Sequence, residues 1–240
     1  MTGTGTEVGK TVVAAAIART LAANGARVAV FKPAVTGLDD LAADGPICRP
    51  EDDKSARRPG FEADHVLLRR AADSSQSDDE IAPYRYGPAM SPHLAAELAG
   101  EEISPARLLA AVRAAAVGAE TLVCEGVGGL LVPLAPRYLV RDLAVDLALP
   151  VVIAAPPGLG TINHTLLTIE ATRAAGLSVL AIVLTPWPAE PSPIEESNLE
   201  TVAALGKVRV ETLPRLDLSA PSSWPSLALP PAPPAPSRPG

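Results

Sequence analysis

Aromatic residues make up only 3% of this 240-residue chain, although 48% of it is apolar. A core with so few rings has to be assembled from Ala, Val, Leu and Ile, a mix that suits helices packed on parallel strands. Cysteine is scarcer still. Cys48 and Cys124 are too few and too far apart for a disulfide framework or a structural zinc site, and they fit a reducing cytoplasm. Positive charge is in deficit, with a formal net charge of −7, which argues against a nucleic-acid partner that needs a basic face. Long apolar runs are missing as well. The nearest, "LAVDLALPVVIAAPPGLG", is broken by Asp146, Pro150 and the Pro156-Pro157 pair, so neither a membrane span nor a secretory signal is expected. The remaining class is small-molecule chemistry in one soluble cytoplasmic domain.

What is present is a repeated alternation. "TVVAAAIARTLAAN", Thr11 to Asn24, has helical spacing with small residues on one face and stops at Asn24-Gly25. Short apolar runs follow at Val28 to Phe31, in "TLVCEGVGG", in "PVVIAAP" and in "VLAIVLTP", each ending in Gly or Pro. Continuous apolar strands separated by helices predict an α/β fold, a doubly wound, mainly parallel sheet with ligands at the strand carboxyl ends. Residues Asp39 to Pro59 lack periodicity and read as a surface loop. From Ser219 to Gly240 the chain is mostly Pro, Ser and Ala, a composition expected to stay disordered, which leaves 1–218 as one P-loop ATPase-like domain.

The stretch Gly3-Thr4-Gly5-Thr6-Glu7-Val8-Gly9-Lys10-Thr11 ends in Gly-Lys-Thr directly before a helix. Glycines let backbone N–H groups turn around phosphate oxygens, the helix N-terminus adds positive potential, and Lys10 reaches the β and γ phosphates. Thr11 is then a Mg²⁺ ligand. Five residues, not the usual four, separate Gly3 from Gly-Lys, so the loop is a variant. Only Met1 and Thr2 precede it. The central strand that supports such a loop, about four to six residues long, is expected to be missing from this chain, with the natural start upstream.

Lys32 ends the second apolar run in "FKPAVTG", where a lysine stabilises charge on a transferred phosphoryl group or simply snorkels to the surface; Thr36 and Gly37 beside it favour the first role. Glu125 follows "TLVC" and precedes Gly126-Val127-Gly128-Gly129, the position of a further Mg²⁺ contact. Asp64 begins a helix and is either a third acidic contact or an ordinary helix cap, with Asp52 and Asp53 as competitors.

Together "GTGTEVGKT", "FKPAVTG", "YRYGPAMSPHLAAE", "CEGVGGLLVPL" and "GLGTINHTLLTIEATRAAGL" resemble the dethiobiotin synthetases of biotin biosynthesis, from Thr2 to about Leu216. The resemblance implies an ATP-dependent ring closure. CO2 adds to one amine of 7,8-diaminononanoate, ATP phosphorylates the carbamate, and the second amine displaces phosphate to close a cyclic urea. It also implies that Glu7, Val8, Gly9, Lys10, Thr11 and Val12 hold the phosphates, with Lys32 and Lys10 catalytic. Thr11, Asp64 and Glu125 would arrange Mg²⁺, with Gly126, Val127 and Gly128 lining the nucleotide site. Thr36, Ser91 and Pro92 would contact the diamine, His93 completing the motif. Thr161, Ile162 and Asn163 would offer free N–H groups to the substrate's distal carboxylate from the partner subunit of a homodimer.

Where many members carry Asn-Asp after the fourth apolar strand, the Asn reading the base, this chain has Thr185-Pro186; Pro214, Arg215 and Leu216 match the other base-side loop. A partition-type ATPase switch is the alternative, but such proteins carry an extra lysine near Thr2. A cobyrinate-type synthetase needs a glutaminase domain for which this chain has no room. An inactive truncated relative is a further alternative.

Overall fold

The computed structural model describes residues 1–40, 62–227 and 229–230. Most of the Asp39 to Pro59 loop, together with Cys48, Asp52, Asp53 and residues 231–240, lies outside the described residues. In chain order the elements are β1 (Thr2–Gly3), α1 (Lys10–Ala23), β2 (Val28–Phe31), α2 (Asp64–Ala71), α3 (Asp78–Ile81), α4 (Pro92–Leu98), α5 (Pro105–Ala115) and β3 (Thr121–Cys124). A short antiparallel pair, β4 (Pro133–Ala135) and β5 (Tyr138–Leu139), precedes α6 (Val140–Leu147). The second half runs β6 (Val151–Ala155), α7 (Thr161–Ala174), β7 (Val179–Trp187), α8 (Pro193–Gly206) and β8 (Val210–Pro214).

Strands β1, β6, β7 and β8 form a parallel sheet in the order β1-β6-β7-β8, and β2 pairs with β3 in parallel. The alternation of side chains along a strand sends successive residues to opposite faces. In β6, Val152 and Ala154 join a core with α1 and α2, while Val151, Ile153 and Ala155 join one with α7 and α8. Phe31 of β2 packs with residues of α4, α5 and α6. Helices therefore cover both faces, as the apolar strands predict. Helix α1 approaches closely because Ala14, Ala15 and Ala18 are fully buried on its sheet side.

The first strand is not missing. Thr2 and Gly3 pair with Ile153 and Ala154 of β6, and Gly3 also bridges Gly129 beyond the end of β3. The Met1 amino group donates to Cys124 O at 2.7 Å, and the Gly126 N–H donates to Met1 O at 2.9 Å. β1 thus occupies the centre, between β3 and β6, and supplies the hydrogen bonds that join the two halves. Burial holds the amino group's pKa below its ordinary value, offset by the nearby Cys124 and Glu125.

Of the tail expected to be disordered, the described part, residues 219–227 and 229–230, is placed against the body of the protein. A 3-10 turn at Pro221–Ser223 leads to Leu227, which is buried in the α1 core, and the Leu227 N–H donates to Thr20 Oγ1 at 2.9 Å. Trp224 and Leu229 pack against the same core. Proline-rich composition removes N–H donors but does not prevent apolar side chains from docking on a preformed helix face.

Among the described residues strand β2 has no partner strand on its outer side, yet Val30 is fully buried. Gln76 takes that place: Val30 N–H donates to Gln76 Oε1 at 2.8 Å, and Gln76 Nε2 donates to Val30 O at 3.1 Å. One residue pair on, the Lys32 N–H donates to Ile81 O at 2.8 Å. Gln76→Ala is expected to lower unfolding free energy by about 1–3 kcal/mol, because two buried backbone groups lose their partners. A urea denaturation midpoint equal to that of the parent protein would contradict this account.

Candidate active site

The loop between β1 and α1 is shaped by left-handed backbone at Glu7 (φ 60°) and Gly9 (φ 82°). Gly9 is also closely packed, since a Cβ there would lie 2.6 Å from Thr185 Cγ2. At Gly3 a Cβ would lie 2.6 Å from Val8 Cγ2 and 2.8 Å from Lys10 Cγ. Thr4 N–H donates to Ala154 O at 3.0 Å, fastening the loop to β6. Glu7 is exposed, Val8, Thr11 and Val12 are partly so, and Lys10 is buried. The Lys10 ammonium donates to Gly5 O at 2.7 Å, inside the ring of the loop. Burial lowers the pKa of Lys10, with Glu125 acting in the opposite direction.

Lys32, Asp64 and Glu125 come together beside this loop. The Lys32 ammonium lies 2.8 Å from Asp64 Oδ2 and 2.7 Å from Glu125 Oε1. Thr11 Oγ1 donates to the same Oε1 at 2.9 Å. Lys32 is therefore buried between two carboxylates rather than snorkelling to solvent. Parallel pairing of Phe31 with Cys124 puts the next residues, Lys32 and Glu125, level with each other at the strand ends. Asp64 arrives from the first position of α2, after the N-cap Ala63, and its side chain reaches Lys32. The Glu125 side chain is fully buried, and burial raises its pKa against the pull of Lys32. Burial alone would lower the pKa of Lys32, but the two carboxylates drive it well above its ordinary value. Burial also raises the Asp64 pKa, and Lys32 outweighs it to give a net lowering.

The donor set fits a magnesium ion. Glu125 Oε2 is buried and has no hydrogen-bond partner among the described residues, and Asp64 and Thr11 add hard oxygen donors. Among the described residues no group of three or more His, Cys, Asp or Glu could hold a metal. Two carboxylates and a hydroxyl suit an ion that keeps waters and takes its other ligands from phosphates.

Gly126, Val127 and Gly128 continue directly from Glu125, with the Gly126 N–H tied to Met1 O. Thr36 is brought towards the segment leading to Ser91 and Pro92 by a backbone ladder. Val35 N–H donates to Tyr84 O (2.9 Å), Tyr86 N–H to Val35 O (2.8 Å) and Gly37 N–H to Pro88 O (3.1 Å). Ser91 is the N-cap of α4, Pro92 is its buried first residue, and His93 Nδ1 is buried without a partner among the described residues.

At the start of α7 the expectation of three free N–H groups needs correction. The Thr161 N–H donates to Gly158 O at 3.2 Å, and its hydroxyl is buried against Thr165 Oγ1 at 3.3 Å. The N–H groups of Ile162 and Asn163 have no backbone acceptor among the described residues. Thr185 lies buried beneath Gly9, whereas Pro214 and Arg215 are exposed and Leu216 is partly buried.

Two contributors escape a reading of the sequence. Asn198, on α8, donates through Nδ2 to Pro157 O (2.8 Å) and Gly158 O (3.1 Å), pinning the loop before α7. Gln76 anchors the strand that carries Lys32. Neither lies in a motif.

The family model described as an AAA domain matches residues 1–222. The chain is 40% identical to the ATP-dependent dethiobiotin synthetase BioD of Anaeromyxobacter dehalogenans, over 85% of this chain and 83% of that protein. It is 35% identical to the ATP-dependent dethiobiotin synthetase BioD of Bacillus velezensis, over 90% and 86%. The Bacillus subtilis protein of the same name is 32% identical, over 85% and 81%.

Gly9→Ala meets both the positive φ and the Thr185 methyl group. It is expected to weaken ATP binding by about tenfold or more, equivalent to at least ~1.4 kcal/mol, in a calorimetric titration. Unchanged affinity would mean that the loop does not need this backbone to hold phosphate.

Proposed function

The chain belongs to the ATP-dependent dethiobiotin synthetase family, and from that membership and the site geometry we propose how its residues form dethiobiotin from 7,8-diaminononanoate, CO2 and ATP. The carrying observation is Lys32, held between Asp64 and Glu125 at the strand ends beside the phosphate loop.

A carbamate formed on one amine of the diamine has to approach the γ-phosphate, and both are anionic. A unit charge pair about 4 Å apart contributes ~4 kcal/mol at an effective dielectric of about 20, so two ammonium groups offset much of the repulsion. Lys10 leaves Gly5 O for the phosphate oxygens, and the N–H groups at the start of α1 face the same anion. Lys32 stands over the carbamate and the transferred phosphoryl group, stabilising charge as a carbamate oxygen attacks phosphorus and ADP leaves. The second amine then attacks the carbonyl carbon, loses a proton, and expels phosphate to close the ring. Thr11, Asp64 and Glu125 would hold Mg²⁺, which supplies charge neutralisation on the β and γ oxygens when bound.

Thr36, Ser91 and Pro92 are read as diamine contacts, supported by the ladder that aligns their segments. The homodimer reading is supported by the loop before α7. Leu159 is 96% exposed there, beside the free N–H groups of Ile162 and Asn163, which suit a substrate carboxylate presented by a second subunit. Pro214, Arg215, Leu216 and Thr185 remain the proposed nucleoside side. No helix of the described residues is long and apolar enough to cross a membrane, and a cytoplasmic location is part of this reading.

Incubation with ATP, Mg²⁺, bicarbonate and 7,8-diaminononanoate should yield dethiobiotin by mass, whereas ATP turnover indifferent to the diamine would sink the synthetase reading. Lys32→Ala is expected to keep nucleotide affinity within about threefold while lowering kcat by about 10²-fold or more. Unchanged turnover would remove Lys32 from the chemistry.

A further inference from the structure

Two of the three groups that would hold the magnesium ion already face a cation. Asp64 Oδ2 and Glu125 Oε1 approach the same ammonium, at 2.8 and 2.7 Å, and the Thr11 hydroxyl donates to that same Oε1. These groups come from α1, α2 and β3, and nothing local in the sequence would converge them; the Lys32 side chain, 4% exposed, fills the space between. A divalent ion drawing its ligands to about 2.0–2.1 Å needs them to face one point. Here Lys32 Nζ holds the point that Asp64 Oδ2 and Glu125 Oε1 face, and Thr11 reaches it through its hydrogen bond to Oε1.

We propose that the Lys32 ammonium occupies the divalent-cation seat of the nucleotide-free site, and that arrival of the metal with the nucleotide displaces it. The two cations do not share the seat. A third and fourth positive charge, added within a few ångströms of Lys32 and in reach of Lys10, would meet strong repulsion in a buried site. Withdrawn from the carboxylates, Nζ becomes available to the carbamate and the transferred phosphoryl group. Exchange therefore couples metal–nucleotide binding to the arming of the catalytic lysine. It also keeps Asp64 and Glu125 compensated while the site waits, since a buried carboxylate without a partner is strongly disfavoured.

This inference rests on the synthetase reading for the role of Lys32, but its test needs no substrate. The full chain is titrated with Mn²⁺ alone, without nucleotide, and free Mn²⁺ is followed by electron paramagnetic resonance. Lys32→Met is expected to tighten Mn²⁺ binding by about tenfold or more over the parent protein, while Lys10→Met, which removes an equal charge that touches neither carboxylate, changes it by less than about threefold. Lys32→Gln, which keeps a neutral donor for the carboxylates, should also tighten it and guards against misfolding of the Met variant. Equal binding in parent and Lys32 variants, or equal tightening by Lys10→Met, would overturn the exchange. A parent protein that makes no dethiobiotin, yet shows the Lys32-specific tightening, would instead overturn the synthetase reading and leave the exchange standing.

Discussion

The buried pairing of Glu125 with Lys32 constrains the rest of the site. A carboxylate with no solvent exposure is tolerable only beside a cation, and the distance of 2.7 Å requires both strand ends to be level. That fixes the β2–β3 register, in which Phe31 faces Cys124. It also explains why the outer edge of β2 is so fully satisfied: Gln76 and the Ile81 carbonyl hold the strand where slippage by one residue would turn Lys32 away from Glu125. The exposed face of the cluster is left to Asp64, whose side chain is 38% exposed.

A second dependence runs through the middle of the sheet. β3 and β6 are not hydrogen-bonded to each other as strands, and the halves of the molecule meet through Met1, Thr2 and Gly3. Chain order reverses around this strand, running outward to β2 and back through β3, then across to β6, β7 and β8. Such a reversal opens a crevice at the strand carboxyl ends, and the phosphate loop leaves β1 into it. The loop is then braced on three sides, by Ala154 O, by the Thr185 methyl beneath Gly9 and by its own Lys10, so its N–H groups are positioned before any anion arrives. Preorganisation of this kind makes electrostatic stabilisation of phosphate effective.

The phosphate loop, the apolar strands that end at Lys32 and Glu125, and the family are legible in the residues alone. These features are local: glycine spacing, helical and strand periodicity, and the residue standing at a strand end. Whatever depends on hydrogen bonding between distant segments emerges only once the chain is folded. Asp64 was separated from a mere helix cap only by its approach to Lys32, and Thr161 lost its expected free N–H to a turn closed on Gly158. With only Met1 and Thr2 ahead of the phosphate loop the supporting strand reads as missing, yet Thr2 and the loop's own Gly3 form it by pairing with β6, and Gly3 bridges Gly129 on the other side. Asn198 and Gln76 support the site from outside every motif, and Leu227 docks although its neighbours are mostly proline and serine. Periodicity reports which face of an element is buried, but not which distant donor meets which acceptor. That pairing is set by the packing of the whole fold.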